Sequence, residues 1–119
     1  NNYVRDLHYL NGDVWVATHE GLNRFSSENN TVQRYYHNPL DSNSLSNSMT
    51  RVITSDKNDN LLIGTQSGLN LFKVKENNFQ LIKDENYPKF HKSLISSLVF
   101  DKDNNFDSFS GLYSFLIMV

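Results

Sequence analysis

The sequence predicts an all-β fold of four-stranded antiparallel meanders, the blades of an incomplete β-propeller. Three observations predict it. A unit of about 47 residues occurs twice in full and begins a third time. Asn and Ser make up about a quarter of the chain, while Ala17 is its only alanine; this makeup fills turns rather than helices. Finally, one strand in each full copy is apolar without alternation, which marks a strand covered on both faces.

The repeat is read by setting Asn11-Gly12-Asp13-Val14-Trp15-Val16-Ala17-Thr18-His19-Glu20-Gly21-Leu22-Asn23-Arg24-Phe25 over Asn58-Asp59-Asn60-Leu61-Leu62-Ile63-Gly64-Thr65-Gln66-Ser67-Gly68-Leu69-Asn70-Leu71-Phe72. Thr18 falls on Thr65, Gly21 on Gly68, Leu22 on Leu69 and Phe25 on Phe72, all at an offset of 47. Upstream, Arg5 falls on Arg51 at 46, so the first copy lacks one turn residue.

Each copy divides into four short strands. The first strand is expected at 4–9, 51–55 and 97–101. It leads through an Asp/Asn-rich turn into the second, at 13–18 and 60–65. Asn11-Gly12 is a type I′ hairpin signal, because both central residues need positive φ. The second strand carries Val14-Trp15-Val16-Ala17 or Leu61-Leu62-Ile63-Gly64. A blade flanked by two others buries such a strand, and the small Ala17 and Gly64 fit close approach of sheets. Gly21, Gly68 and Gly111 open the third strand, at 22–26, 69–74 and 112–117. They imply a backbone position costly for a residue with a Cβ. The fourth strand is expected at 31–36 and 78–82. Links within a copy are two to five residues long, which permits hairpins and excludes parallel crossovers. Blade 1 thus spans about 3–36, blade 2 about 50–82 and a partial blade 3 about 97–117. Polar loops 37–49 and 83–96, which hold Pro39 and Pro88, join them.

The third copy is degenerate. Phe106-Asp107-Ser108-Phe109-Ser110 separates Asn105 from Gly111, where the second copy has seven residues, and no Ile-Gly-Thr core appears. Gly111-Leu112-Tyr113-Ser114-Phe115 then resumes the Gly-Leu-x-x-Phe pattern.

Totals exclude several functions. A net charge of −2 gives no basic field for nucleic acid. Without cysteine there is no disulfide, thiolate or cysteine–zinc chemistry. No signal peptide is visible in Asn1-Asn2-Tyr3-Val4-Arg5-Asp6, and no apolar run approaches the ~18 residues of a membrane span.

Few motifs carry chemistry. Asp56-Lys57-Asn58-Asp59-Asn60 and Asp101-Lys102-Asp103-Asn104-Asn105 imitate the opening of a calcium loop, but lack its Gly and its closing Glu. They read as Asx-type hairpin turns. His8, His19, His37 and His91 show no metal-ligand spacing. No Gly-x-Ser-x-Gly elbow occurs. No catalytic residue, metal ligand or cofactor site is expected. Trp15, mid-strand, reads as packing between blades rather than a sugar platform.

At Asp13-Val14-Trp15-Val16-Ala17-Thr18 with Gly21-Leu22-Asn23-Arg24-Phe25, and at Asn60-Leu61-Leu62-Ile63-Gly64-Thr65 with Gly68-Leu69-Asn70-Leu71-Phe72, the chain resembles the two-component regulator propeller repeat. The link Ser44-Leu45-Ser46-Asn47-Ser48 is similar to that family's inter-blade stretch. The likeness covers about 3–82 well and 97–115 poorly. It departs at Ala17 for the usual Gly, Leu62 for the usual Trp, and the shortened third copy. The resemblance implies the periplasmic sensor region of a hybrid two-component histidine kinase of Bacteroidetes type, tuned to oligosaccharides. It further implies additional blades or a second propeller, an immunoglobulin-like domain, and a kinase in the parent receptor; this segment itself is non-catalytic. Two other readings stand beside it: a propeller lyase of streptogramin-inactivating type, and a structural interaction module.

In an up-and-down blade, the links between second and third strands share one end with the links between blades. Varied loops on a rigid scaffold are where recognition lives. The candidate ligand contacts are therefore His19, Glu20, Gln66 and Ser67. Fewer than three blades leave open faces, so self-association is also expected.

Overall fold

The computed structural model describes residues 3–83 and 94–95, together with the backbone of strands Ser97–Phe100 and Phe115–Met118. Among these residues there is no helix. The first sheet consists of β1 (Val4–Leu10), β2 (Asp13–Thr18), β3 (Gly21–Ser26) and β4 (Thr31–Tyr35), each paired antiparallel with its sequence neighbour. The second repeats it with β5 (Thr50–Ser55), β6 (Leu61–Thr65), β7 (Gly68–Lys73) and β8 (Asn78–Leu81). Both sheets are open meanders, and the fold is that of a partial propeller.

The repeat governs fine geometry as well as topology. Register shifts fall between Val4 and Asp6 in the first sheet and between Thr50 and Val52 in the second. Asn11 and Gly12 both have positive φ, as a type I′ turn needs. Asn30 and Asn77, 47 apart, take left-handed φ values of 53° and 56° in the turns before β4 and β8. Asn tolerates that region better than most residues with a Cβ.

The core lies between the two sheets. Trp15, Ala17 and Leu22 of the first pack on Ile53, Leu61, Ile63, Phe72 and Phe79 of the second, with Leu45 of the link among them. Cross-strand partners share a face, so β2 sends Trp15 and Ala17 toward blade 2 and Val14 and Val16 away from it. Aromatic rings dominate the contact. Trp15 meets Phe72 edge-on at 5.5 Å, and Phe72 stacks on Phe79 at 4.2 Å. At Gly64, a Cβ would lie 2.6 Å from Val52 Cγ1 and 2.7 Å from Ile95 Cγ2.

The inner strands are joined by polar contacts between residues that are 47 apart. Asp6 Oδ2 accepts a 2.9 Å hydrogen bond from the Ile53 amide, and His8 Nε2 lies 2.9 Å from Ser55 Oγ. Burial lowers the His8 pKa from its ordinary value, and the charge of Asp6 opposes this only in part. A lowered folded-state pKa means that folding favours the neutral ring. The stability this contributes is complete above the unfolded value of about 6.5 and is lost as pH falls below it. Urea midpoints are therefore expected to drop between pH 7.5 and 5.5, and His8→Gln is expected to flatten that part of the profile. An unchanged profile in the variant would assign the acid sensitivity elsewhere.

Among the described residues, the third repeat contributes two strands. The Gly-Leu-x-x-Phe pattern places the third strand at 112–117, parallel to the first strand of its copy. Instead β9 (Ser97–Phe100) pairs directly and antiparallel with β10 (Phe115–Met118), in a two-stranded sheet. The sequence of this copy has no Ile-Gly-Thr core, and β10 stands as the antiparallel partner of its first strand. Gly111 and Leu112 lie outside the described residues, as does the Asp101–Asn105 turn.

Candidate functional site

The signature Thr and Gly build the turns at one end of the sheets. Thr18 Oγ1 donates to the Gly21 carbonyl at 2.8 Å and accepts from the Glu20 amide at 3.0 Å. Thr65 does the same for Gly68 and Ser67, at 2.9 and 3.0 Å. One hydroxyl thus satisfies two backbone groups that the tight turn leaves unpaired, and it closes the turn on itself. Thr50 Oγ1 then ties the blades together. It accepts from the Thr18 amide at 2.9 Å and lies at donor distance from the carbonyls of Thr18 and Gly21.

The link 37–49 crosses this same end. It gives the Ser48 carbonyl to the Gly21 amide, the Met49 carbonyl to the Gln66 amide and the Asn43 carbonyl to the Phe79 amide. Its own shape is held by short side chains. Ser44 Oγ accepts from the Asn38 amide, Asp41 Oδ1 accepts from the Asn43 amide, and His37 Nδ1 donates to the Leu45 carbonyl at 2.6 Å. Between this link and β8 lies a cavity of about 560 Å³. Its polar lining includes Asn38, Asp41, Ser44, Ser67, Asn78 and Gln80.

The four sequence-selected contacts sit on the two turns at this end, with different surroundings. His19 stacks on Tyr3, with ring centroids 4.6 Å apart and planes 15° apart. Its Nε2 is buried with no hydrogen-bond partner among the described residues. Glu20 is exposed and lines a concavity on the outer face of blade 1. Gln66 Oε1 accepts from Arg51 Nε at 3.1 Å. Ser67 Oγ accepts from Asn47 Nδ2 at 3.1 Å, and Ser67 lines the 560 Å³ cavity. The link residues His37, Asn38, Asp41 and Ser44 were not singled out by the sequence. Only the length and polarity of the loop pointed toward them.

At the opposite end, Asp56 Oδ1 accepts from the Asn58 and Asn60 amides at 2.8 and 3.0 Å, an Asx-type turn. No group of three or more His, Asp or Glu that could hold a metal occurs among the described residues.

No family model matches the chain, and no curated protein matches it. Solved structures do. One is described as the extracellular domain of a hybrid two-component system of B. thetaiotaomicron. It superposes with a TM-score of 0.73 at 21% identity, over 83% of this chain. The likeness extends the blade architecture to a structure from the solved set and, at that identity, speaks for the fold. The chain spans 14% of the length of that structure. Among the described residues, no helix is long and apolar enough to cross a membrane.

Proposed function

We propose that this chain is part of the extracytoplasmic ligand-sensing propeller of a two-component sensor histidine kinase, responding to oligosaccharides. The observation that carries the reading is the superposition on the extracellular domain of a hybrid two-component system over 83% of the chain. The repeat signature points the same way. Trp15, Thr18, Gly21, Leu22 and Phe25 recur as Leu62, Thr65, Gly68, Leu69 and Phe72, the pattern of the two-component regulator propeller repeat. In this reading the segment lies on the periplasmic side of the inner membrane and binds its ligand without transforming it. Further blades and an immunoglobulin-like domain relay the signal to the kinase.

The lining of the link cavity supports this ligand class. Amides and hydroxyls of Asn38, Ser44, Ser67, Asn78 and Gln80 offer paired donors and acceptors beside one acidic and one basic side chain, Asp41 and Lys83. Such a set suits a hydroxyl-rich neutral ligand. His19, Glu20 and Gln66 sit on the turns at the same end of the sheets, Glu20 facing the separate concavity on blade 1. Titration calorimetry of the chain against a panel of neutral oligosaccharides is expected to give saturable binding. Asn78→Ala with Gln80→Ala is expected to weaken it at least tenfold, the equivalent of about 1.4 kcal/mol. Silence across the panel would leave a structural module as the reading.

A further inference from the structure

The inner strands of both blades share one irregularity, and each time it holds an arginine. In β1, Val4 pairs with Thr18 and Asp6 with Ala17, so Arg5 is the extra residue of a β-bulge. In β5, Thr50 pairs with Thr65 and Val52 with Gly64, so Arg51 is the extra residue there. A bulge takes its residue out of the ladder and re-aims the side chain. Both bulges lie at the end of the sheets that carries the turns after Thr18 and Thr65.

The fold sets these two arginines beside each other. β1 and β5 pack side by side. The bonds from Ile53 to Asp6 and between His8 and Ser55 lock the two strands in one register just past the bulges. Neither arginine is neutralised there. Asp6, next to Arg5 in the chain, spends its two oxygens on the amides of Leu7 and Ile53, each at 2.9 Å. Asp13 is paired with Arg24, and Glu20 lines the concavity on the outer face of blade 1.

Arg5 is exposed, and among the described residues its side chain has no hydrogen bond or ion pair. Arg51 is half-buried, and its Nε donates to Gln66 Oε1 at 3.1 Å. That bond fixes the plane of the guanidinium. It leaves the two terminal nitrogens, which can grip an oxyanion through two parallel bonds, without a partner among the described residues. His19 stands where Gln66 stands, 47 residues earlier, and its buried Nε2 is a further unsatisfied group at this end. We propose that Arg5 and Arg51 together form a binding site for a small oxyanion, the carboxylate or sulfate group of an acidic ligand. The site is separate from the link cavity, whose lining includes neither arginine. It rests on the paired bulges and their unmatched charge and is independent of the sensor reading.

The test follows the arginine Nε–H signals of the isotopically labelled 119-residue chain by NMR. Glucuronate, inorganic sulfate and uncharged glucose are titrated in turn at constant ionic strength. Saturable shifts at Arg5 and Arg51 are expected with at least one of the two anions and none with glucose. Response to glucuronate alone assigns the site to carboxylates, and response to sulfate alone assigns it to sulfate groups. Arg51→Gln is expected to weaken binding about tenfold or more. Arg51→Lys keeps the charge but loses the fork, so it is expected to weaken binding as well. Lys73→Gln, at the opposite end of the sheet, is expected to change nothing. Arg5→Gln, at an exposed position, keeps the test decisive if the Arg51 variants disturb folding. No shift at either arginine with millimolar anion would overturn the proposal. So would undiminished binding by Arg51→Lys or a loss in Lys73→Gln equal to that in Arg51→Gln, since general attraction to positive charge would then explain the shifts.

Discussion

Trp15→Ala is expected to lower unfolding stability by about 3–5 kcal/mol, the range for deleting a buried aromatic. Trp15 is fully buried, and it is the largest side chain that blade 1 sends into the contact. Its removal takes away the edge contact with Phe72 at 5.5 Å and the stacking on Tyr35 at 6.1 Å. It also strips the platform under Arg24, whose guanidinium lies 4.9 Å from the ring centroid. The Arg24–Asp13 ion pair at 2.7 Å would survive, but on a partly exposed surface it compensates little. Val14→Ala, one residue earlier in the same strand, provides the contrast. Val14 points to the open face, so its truncation is expected to cost about 0.5 kcal/mol or less. Urea denaturation of the two variants reads the difference directly. Equal costs would show that the outer face of blade 1 is covered as tightly as the inner one.

The contrast between Val14 and Trp15 also shows how far the sequence carries. Four consecutive apolar residues in β2 announce a strand covered on both faces. That is the architecture for which the repeat is written, and β6 follows it with all five residues buried. In β2 the same pattern coexists with an exposed Val14. Periodicity reports the environment a strand was selected for, and the described neighbours supply only half of it. Turn chemistry was legible residue by residue. Asn11-Gly12 needed positive φ at both positions and has it, and Asp56 caps its own turn. The candidate site was legible only to the level of one end of the sheets. Its cavity is shaped by Ser, Asn and Asp side chains bonding to backbone within the link, and such bonds leave no period in the sequence. His19 reads as an exposed polar contact on a turn. The ring it meets belongs to Tyr3, outside its own hairpin, and no local pattern connects the two.

Gly21→Val is expected to be as damaging as the loss of Trp15, through the backbone rather than the core. Gly21 has φ of +108°, a region that β-branched residues do not tolerate. A Cβ there would stand 2.5 Å from the Tyr35 carbonyl oxygen and 3.0 Å from Tyr36 Cδ1. The carbonyl belongs to the β3–β4 ladder, so it cannot move without breaking strand pairing. Strain of about 1–3 kcal/mol adds to overpacking of about 1–3 kcal/mol, for a total of about 2–6 kcal/mol. The damage would spread, because the Gly21 carbonyl accepts from Thr18 Oγ1 and its amide donates to the Ser48 carbonyl. Displacing it would loosen the turn and the link that shapes the cavity together. Gly12→Ala separates the two causes. Gly12 also has positive φ, +86°, but a Cβ there would meet nothing within 4 Å. Conformational strain alone predicts a loss of about 1–2 kcal/mol. A Gly21→Val variant no less stable than Gly12→Ala would mean that the blade yields at its turn. The signature Gly would then answer to the sign of φ alone and not to the closeness of the fourth strand.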